Sequence, residues 1–252
     1  MKYAIELAYN GTPFIGWQAQ SEGKGVTVQQ TVEDAIQKVT RQEVSLMGCG
    51  RTDTGVHAKY FVAHFVAEPI DDLAEFVYRL NKTLPDDIAI FKARAVSDKF
   101  HARFSPTARK YEYHLHKRKD PFLRPWSYYR YGELDLSLMN EAAAYLATLT
   151  NFKSFSKTKT NVHTYNCRID ECFWEERENG KVLVFHVKAD RFLRNMVRAM
   201  VGTLIDIGTG KMSLDQLKLA MQEEDRRATG KSVPANGLYL TEIEYNWKEY
   251  ES

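Results

Sequence analysis

Twice along this chain an alternating apolar–polar run leads into an amphipathic helix, two further alternating runs, a second helix and a closing strand. A strand repeat of two and a helix repeat of about 3.6 cannot be exchanged, so this order constrains the layering before any packing is considered. In the first pass, residues 2–9 (KYAIELAY) read as a strand. Residues 27–41 read as a helix with Val28, Val32, Ala35, Ile36 and Val39 on one face, and Thr27-x-x-Gln30 as a capping box. Strands follow at about 44–48 and 60–67, then a helix at 71–82 opened by Asp71 and Asp72, then a strand in DIAIFKARAV.

The second pass begins with KYEYHLHK (110–117), where Tyr111, Tyr113 and Leu115 share a face. A helix over 135–149 presents Leu138, Ala142, Tyr145, Leu146 and Leu149. Strands at about 165–176 and 181–189 are joined through Asn179-Gly180, a strong hairpin signal. RFLRNMVRAMVGTLIDIG reads as one long helix with Arg191, Arg194 and Arg198 along an edge and Gly208 as a left-handed cap. A short helix near 213–222 and the strand GLYLTEIEYNW complete the repeat. Each pass is a split βαβ unit. The expectation is an α+β protein of two ferredoxin/RRM-like halves, 1–105 and 106–252. Each half has an antiparallel sheet with helices on one face, and a cleft between the halves can hold an extended ligand. Such a fold decides no chemistry.

Composition removes several classes. The longest apolar runs are short and interrupted by charge, so no membrane span is expected. The cysteines Cys49, Cys167 and Cys172 have no C-x-x-C spacing, which fits neither a zinc site nor a disulfide framework and suits a reducing, cytoplasmic setting. A net charge of +2 says little about partners. Its distribution says more: KFHARFSPTARKYEYHLHKRK (99–119) threads Phe and Tyr through a basic stretch that contains Arg103, Arg109 and Lys110. That composition suits loop or single-stranded RNA, and suits equally a strand edge protected by lysines.

Residues 48–58, GCGRTDTGVHA, place charged groups and glycines directly before strand material. A phosphate-cradling loop would need a following Lys-Ser/Thr and a helix, and neither is present. No serine or cysteine sits in a nucleophile elbow, and Asp53, His57 and His64 lack a recognised metal-ligand spacing. On local spacing alone Asp53 reads as an Asx-turn residue, with a catalytic carboxylate as the alternative.

The same window resembles the signature of the tRNA pseudouridine synthase A family, G-x-G-R-T-D-x-G-V-H-A before a strand. YNGTPFIGWQAQ, TVQQTVEDAI, NKTLPDDIAI, FHARFSPTARKYEYHL, FLRNMVRAMVGTLIDIG and PANGLYLTEIEY are similar to further blocks of that family, in its order, from about residue 3 to 245. Cys49 and Pro106 stand where alanine is common, and 151–168 fits only loosely.

The resemblance implies isomerisation of uridine to pseudouridine in the anticodon stem-loop of tRNA, without cofactor or metal, by a homodimer that binds tRNA. It implies that Asp53 is the essential carboxylate and Arg198 its cationic partner. Tyr111 lies against the target base, Arg51 is associated with the flipped nucleotide, and Leu238 walls the site. From the residues alone, Tyr111 reads first as a core strand tyrosine sharing a face with Tyr113 and Leu115, and Leu238 as a core residue. Arg103, Arg109 and Lys110 are phosphate contacts by composition, and His57 supports the loop.

Overall fold

The computed structural model describes residues 1–18, 25–157 and 163–251. The last two residues of YNGTPFIGWQAQ and part of 151–168 therefore lie outside the described residues. Two units are formed, Met1–Thr107 with Tyr239–Ser252, and Ala108–Leu238. Both are α+β, and their strand pairing is mostly antiparallel.

The first unit contains β1 (Lys2–Tyr9), α1 (Val28–Thr40), β2 (Met47–Gly48), β3 (His57–Val66), α2 (Leu73–Thr83) and β4 (Ile88–Val96). β1 lies between β3 and β4, antiparallel to both, and buries Tyr3, Ile5, Leu7 and Tyr9 in the alternation its sequence carries. β2 is shorter than the run at 44–48 suggested and pairs antiparallel with β3 at Met47↔His64 and Gly48↔Ala63. Helix starts follow the sequence. Thr27 Oγ1 accepts from Gln30 N at 3.2 Å, and Asp72 Oδ1 accepts from Ala74 N and Glu75 N, both at 2.9 Å. The capping box at Thr27 is only half formed, because the Gln30 amide donates to Asp34 Oδ1 at 2.8 Å instead of reaching back.

The second unit contains β5 (Ala108–His116), β6 (Tyr128–Tyr129), α3 (Leu136–Ala147), β7 (Ile169–Arg177), β8 (Val182–Ala189), α4 (Met196–Gly208) and α5 (Leu214–Gln222). β8 lies between β5 and β7, antiparallel to both. Their hairpin turns through Glu178, Asn179 and Gly180, all at positive φ (51°, 52° and 82°). Three expectations change here. α3 buries Ala142 and Leu146 as read, but Met139 takes the buried place expected of Leu138, which is 45 % exposed. α4 starts only at Met196, because Asn195 is left-handed at φ 67°, so Arg191 and Arg194 do not share a helical edge with Arg198. Gly208 remains inside α4, and the positive φ belongs to Gly210 (72°).

The closing strand, β9 (Leu238–Glu244), was expected to complete the second half, yet from Tyr239 onward it groups with the first unit. There it pairs in parallel with β3 at His57↔Tyr239 and Ala58↔Leu240. Thr107 N then donates to Glu244 O at 2.9 Å, and Tyr245 Oη to Ala102 O at 2.6 Å. The Phe100 ring stacks 5.3 Å from Trp247. Backbone pairing and this aromatic packing hold the segment beside the start of β3, at His57 and Ala58.

Candidate active site

The chain between β2 and β3 forms the loop that carries Asp53. Cys49 N donates to Val62 O at 2.8 Å, so the loop leaves β3 under control. Thr52 is buried, while Arg51 is exposed and Asp53 half-exposed. That is the alternation of an extended stretch, and it puts Arg51 and Asp53 on the side opposite Thr52. A tight turn follows, with Gly55 at φ 76° and Val56 N donating to Asp53 O at 3.1 Å.

The opening segment of the sequence interlocks with this loop. Trp17 N donates to Thr52 O at 3.3 Å, and Gly55 N to Phe14 O at 3.4 Å. Thr54 Oγ1 donates to Ile15 O at 3.2 Å, and the hydroxyls of Tyr9 and Thr52 are hydrogen-bonded at 2.9 Å. The approach is close enough to demand glycine at two points. Gly16 has φ 110°, and a Cβ there would sit 2.4 Å from Thr52 O. A Cβ on Gly48 would sit 2.5 Å from Trp17 Nε1. Beneath the loop Trp17 and Tyr9 pack on Phe61, with centroids 4.1 Å and 5.5 Å away. His57 Nδ1 accepts from Gly11 N at 3.1 Å, which leaves its proton on Nε2, and its ring stacks on Tyr239 at 4.7 Å. His57 is thus a prop between the opening segment and β9.

This clamp is the part of the site that sequence reasoning missed. The glycines and aromatics of residues 9–17 were visible, but nothing local says that they close over residues 52–55.

The second unit carries the other candidates. On β5, Tyr111 is half-buried with its ring edge-on to Phe192 at 5.0 Å, whereas Tyr113 is fully buried. Tyr113 Oη donates to Pro234 O at 2.8 Å. Burial drives its hydroxyl far above the usual phenol range, the Tyr128 hydroxyl adds to that, and the Arg198 charge opposes it. Arg198 and Val233 are tied reciprocally, Arg198 Nε donating to Val233 O at 2.7 Å and Val233 N to Arg198 O at 3.2 Å. The guanidinium is therefore held at a fixed azimuth on α4. Leu238 is buried at the start of β9.

Among the basic candidates, Arg103 is exposed with its guanidinium 5.5 Å from the Phe104 ring centre. Arg109 Nη1 donates to Asp190 O at 2.9 Å, and Lys110 Nζ pairs with Glu171 Oε2 at 2.6 Å. Asp53 and Arg51 thus belong to one unit, and Tyr111, Arg198 and Leu238 to the other.

Among the described residues no group of three His, Cys, Asp or Glu could hold a metal ion. The three cysteines are buried and form no disulfide among the described residues, and burial pushes the Cys167 and Cys172 thiols up to about 12. No helix among the described residues is long and apolar enough to cross a membrane.

Known proteins resemble this chain over nearly its whole length. The sequence model of the tRNA pseudouridine synthase family matches residues 6–105 and 142–246, which leaves Arg109, Lys110 and Tyr111 outside the matched stretches. A tRNA pseudouridine synthase A of Porphyromonas gingivalis is 47% identical over 247 residues, covering 97% of this chain and 97% of that protein. One of Parabacteroides distasonis is 44% identical over 245 residues, covering 97% and 96%. A solved Cbf5-Nop10-Gar1 complex matches 80% of this chain and 54% of its own with TM-score 0.32 and 11% identity, too distant to bear on fold or function.

Proposed function

The chain belongs to the tRNA pseudouridine synthase family, an isomerase family, and from that premise we propose that it converts uridine to pseudouridine in the anticodon stem-loop of tRNAs. The observation that carries the reading is the Asp53 loop. Its carboxylate-bearing residue is half-exposed, while the residues around it are fixed by four contacts to the segment 9–17. A structural turn has no need of such immobilisation, whereas a reacting group does, because misplacement by about 1 Å can cost roughly a hundredfold in rate.

In this reading Asp53 either attacks C1′ of the ribose as N1 leaves or acts as the base that takes the C5 proton. The N1–C1′ bond breaks, the uracil turns, C5 bonds to C1′, and the C5 proton leaves as N1 gains one. Atoms balance within the nucleotide, so the isomerisation requires no co-reactant. Arg198 is the cation that the family resemblance assigns to that carboxylate. Tyr111 lies against the base, Leu238 is an apolar wall, and Arg51 holds the place of the extruded nucleotide. Arg103, Arg109 and Lys110 are the phosphate contacts of the same reading. The working form is a homodimer in the cytoplasm.

The test uses tRNA carrying tritium at C5 of uridine. Wild-type chain releases tritium, and Asp53→Asn binds the tRNA but releases none. Release by Asp53→Asn at the wild-type rate removes Asp53 from the chemistry. Binding by the wild type with no release makes the chain an RNA-binding module instead.

A further inference from the structure

A second recess, carried wholly by the second unit, is not used by that chemistry. It measures about 490 Å³ and is lined by His116, Lys119, Asp120, Arg124, Ser127 and Asn236, among others. This is the size range of small-ligand sites. Its wall is the strap 117–127 between β5 and β6, closed by Asn236, whose amide nitrogen donates to Arg124 O at 2.9 Å and Ser127 O at 3.0 Å.

The floor holds an uncompensated group. His116 is 1 % exposed, and its Nδ1 is hydrogen-bonded to Ser127 Oγ at 3.0 Å. Its Nε2 is buried with no hydrogen-bond partner among the described residues. Buried polar atoms in native proteins are nearly always paired, so an orphan lining a recess calls for a ligand atom. Either tautomer leaves Nε2 in need of a partner, and the one in which Ser127 Oγ donates to Nδ1 carries the proton on Nε2 and presents it to an acceptor. The surrounding charge says which kind. Lys119 and Arg124 are exposed cations at the rim, whereas Asp120 Oδ1 is engaged by the backbone amides of Phe122 at 2.8 Å and Leu123 at 3.3 Å. The strap also presents Phe122, 85 % exposed, and Trp126, 43 % exposed. Such planes are what unstacked bases lie on.

We propose that this recess is a phosphate-binding subsite that takes a backbone phosphate of the RNA, with His116 Nε2, Lys119 and Arg124 as its donors. The proposal rests on the tRNA reading above and adds to it a binding subsite outside the reacting residues.

The experiment measures tRNA affinity against salt in an Asp53→Asn background, so that turnover plays no part. Lys119→Ala/Arg124→Ala, at exposed positions, is expected to weaken tRNA binding about tenfold at ~0.1 M salt and to reduce the slope of log affinity against log salt by about 2. Lys119→Arg/Arg124→Lys is expected to restore both. Unchanged affinity and slope in the alanine variant overturn the subsite. A His116 imidazole NMR signal that shifts with millimolar inorganic phosphate, while the tRNA slope stays unchanged, assigns the recess to free phosphate and overturns the RNA assignment. Tritium release by the wild type is scored separately, so loss of the isomerase reading is distinguishable from loss of the subsite.

Discussion

The hydroxyl of Tyr9, the last residue of β1, lies 2.9 Å from that of Thr52, the residue immediately before Asp53. The pair is buried, so the end of β1 and the Asp53 loop share one hydrogen bond that water does not replace. Tyr9→Phe is expected to cost about 0.5–1.5 kcal/mol in urea unfolding, and to slow tritium release several-fold with little change in KM. An unchanged midpoint and an unchanged rate together would show that the pair does not hold the loop.

Two glycines near Asp53 are expected to behave oppositely. Gly16→Ala places a methyl 2.4 Å from Thr52 O at φ 110°, so the loop must shift or the segment must strain. A loss of roughly 1–3 kcal/mol and most of the activity is expected. Gly50→Ala meets nothing within 4 Å and is expected to fold and turn over like the wild type. Thermal unfolding and single-turnover assays on the two variants check this, and similar behaviour of both contradicts it.

Arg198→Lys keeps the charge and loses the geometry. The Nε–Val233 O bond at 2.7 Å fixes the plane of the guanidinium, and a lysine ammonium cannot both anchor there and reach onward in the same plane. We expect kcat to fall roughly 10- to 100-fold with a smaller change in KM and a folded protein by circular dichroism. Wild-type kcat in this variant would reduce Arg198 to a helix anchor.

His64 gives the first unit a pH dependence. Burial, with lesser contributions from His101 and Lys2, lowers its imidazole from 6.5 to about 4. Its Nδ1 accepts from Ala102 N at 3.1 Å. Between about pH 6.5 and 4 the unfolded chain takes up a proton at this ring that the folded chain refuses. Stability therefore falls as pH drops through that window, and His64 contributes no slope above it. His64→Gln, whose amide oxygen can accept from Ala102 N, is expected to lose less stability over the same window. Parallel curves for the two proteins in urea titrations across that range would rule the ring out.

Much of this was legible because periodicity reports local burial. The alternation in KYAIELAY gave β1, and Thr27 and Asp72 marked the starts of α1 and α2 as they occur. One difference comes from backbone conformation at a single residue, which can override a run of side chains. Asn195, at φ 67°, breaks an apolar stretch that reads as one helix, and so removes Arg191 and Arg194 from the face assigned to them. A sequence shows the charge of Lys110 but not the Glu171 that pairs with it from a strand some sixty positions away. Asp53 itself was legible as a motif, whereas the clamp around it is tertiary and was not.

The pairing of β9 with His57 and Ala58, directly after the Asp53 loop, sets an order for biosynthesis. A ribosome making this chain completes residues 1–107 early, but the neighbour of β3 at that point is encoded beyond residue 238. The whole of Ala108–Leu238 is threaded between the two, as an insertion into the unit that holds the carboxylate. His57 therefore has no Tyr239 ring to stack on while the nascent chain is growing. The Asp53 loop acquires its last support only once translation of the closing strand is done.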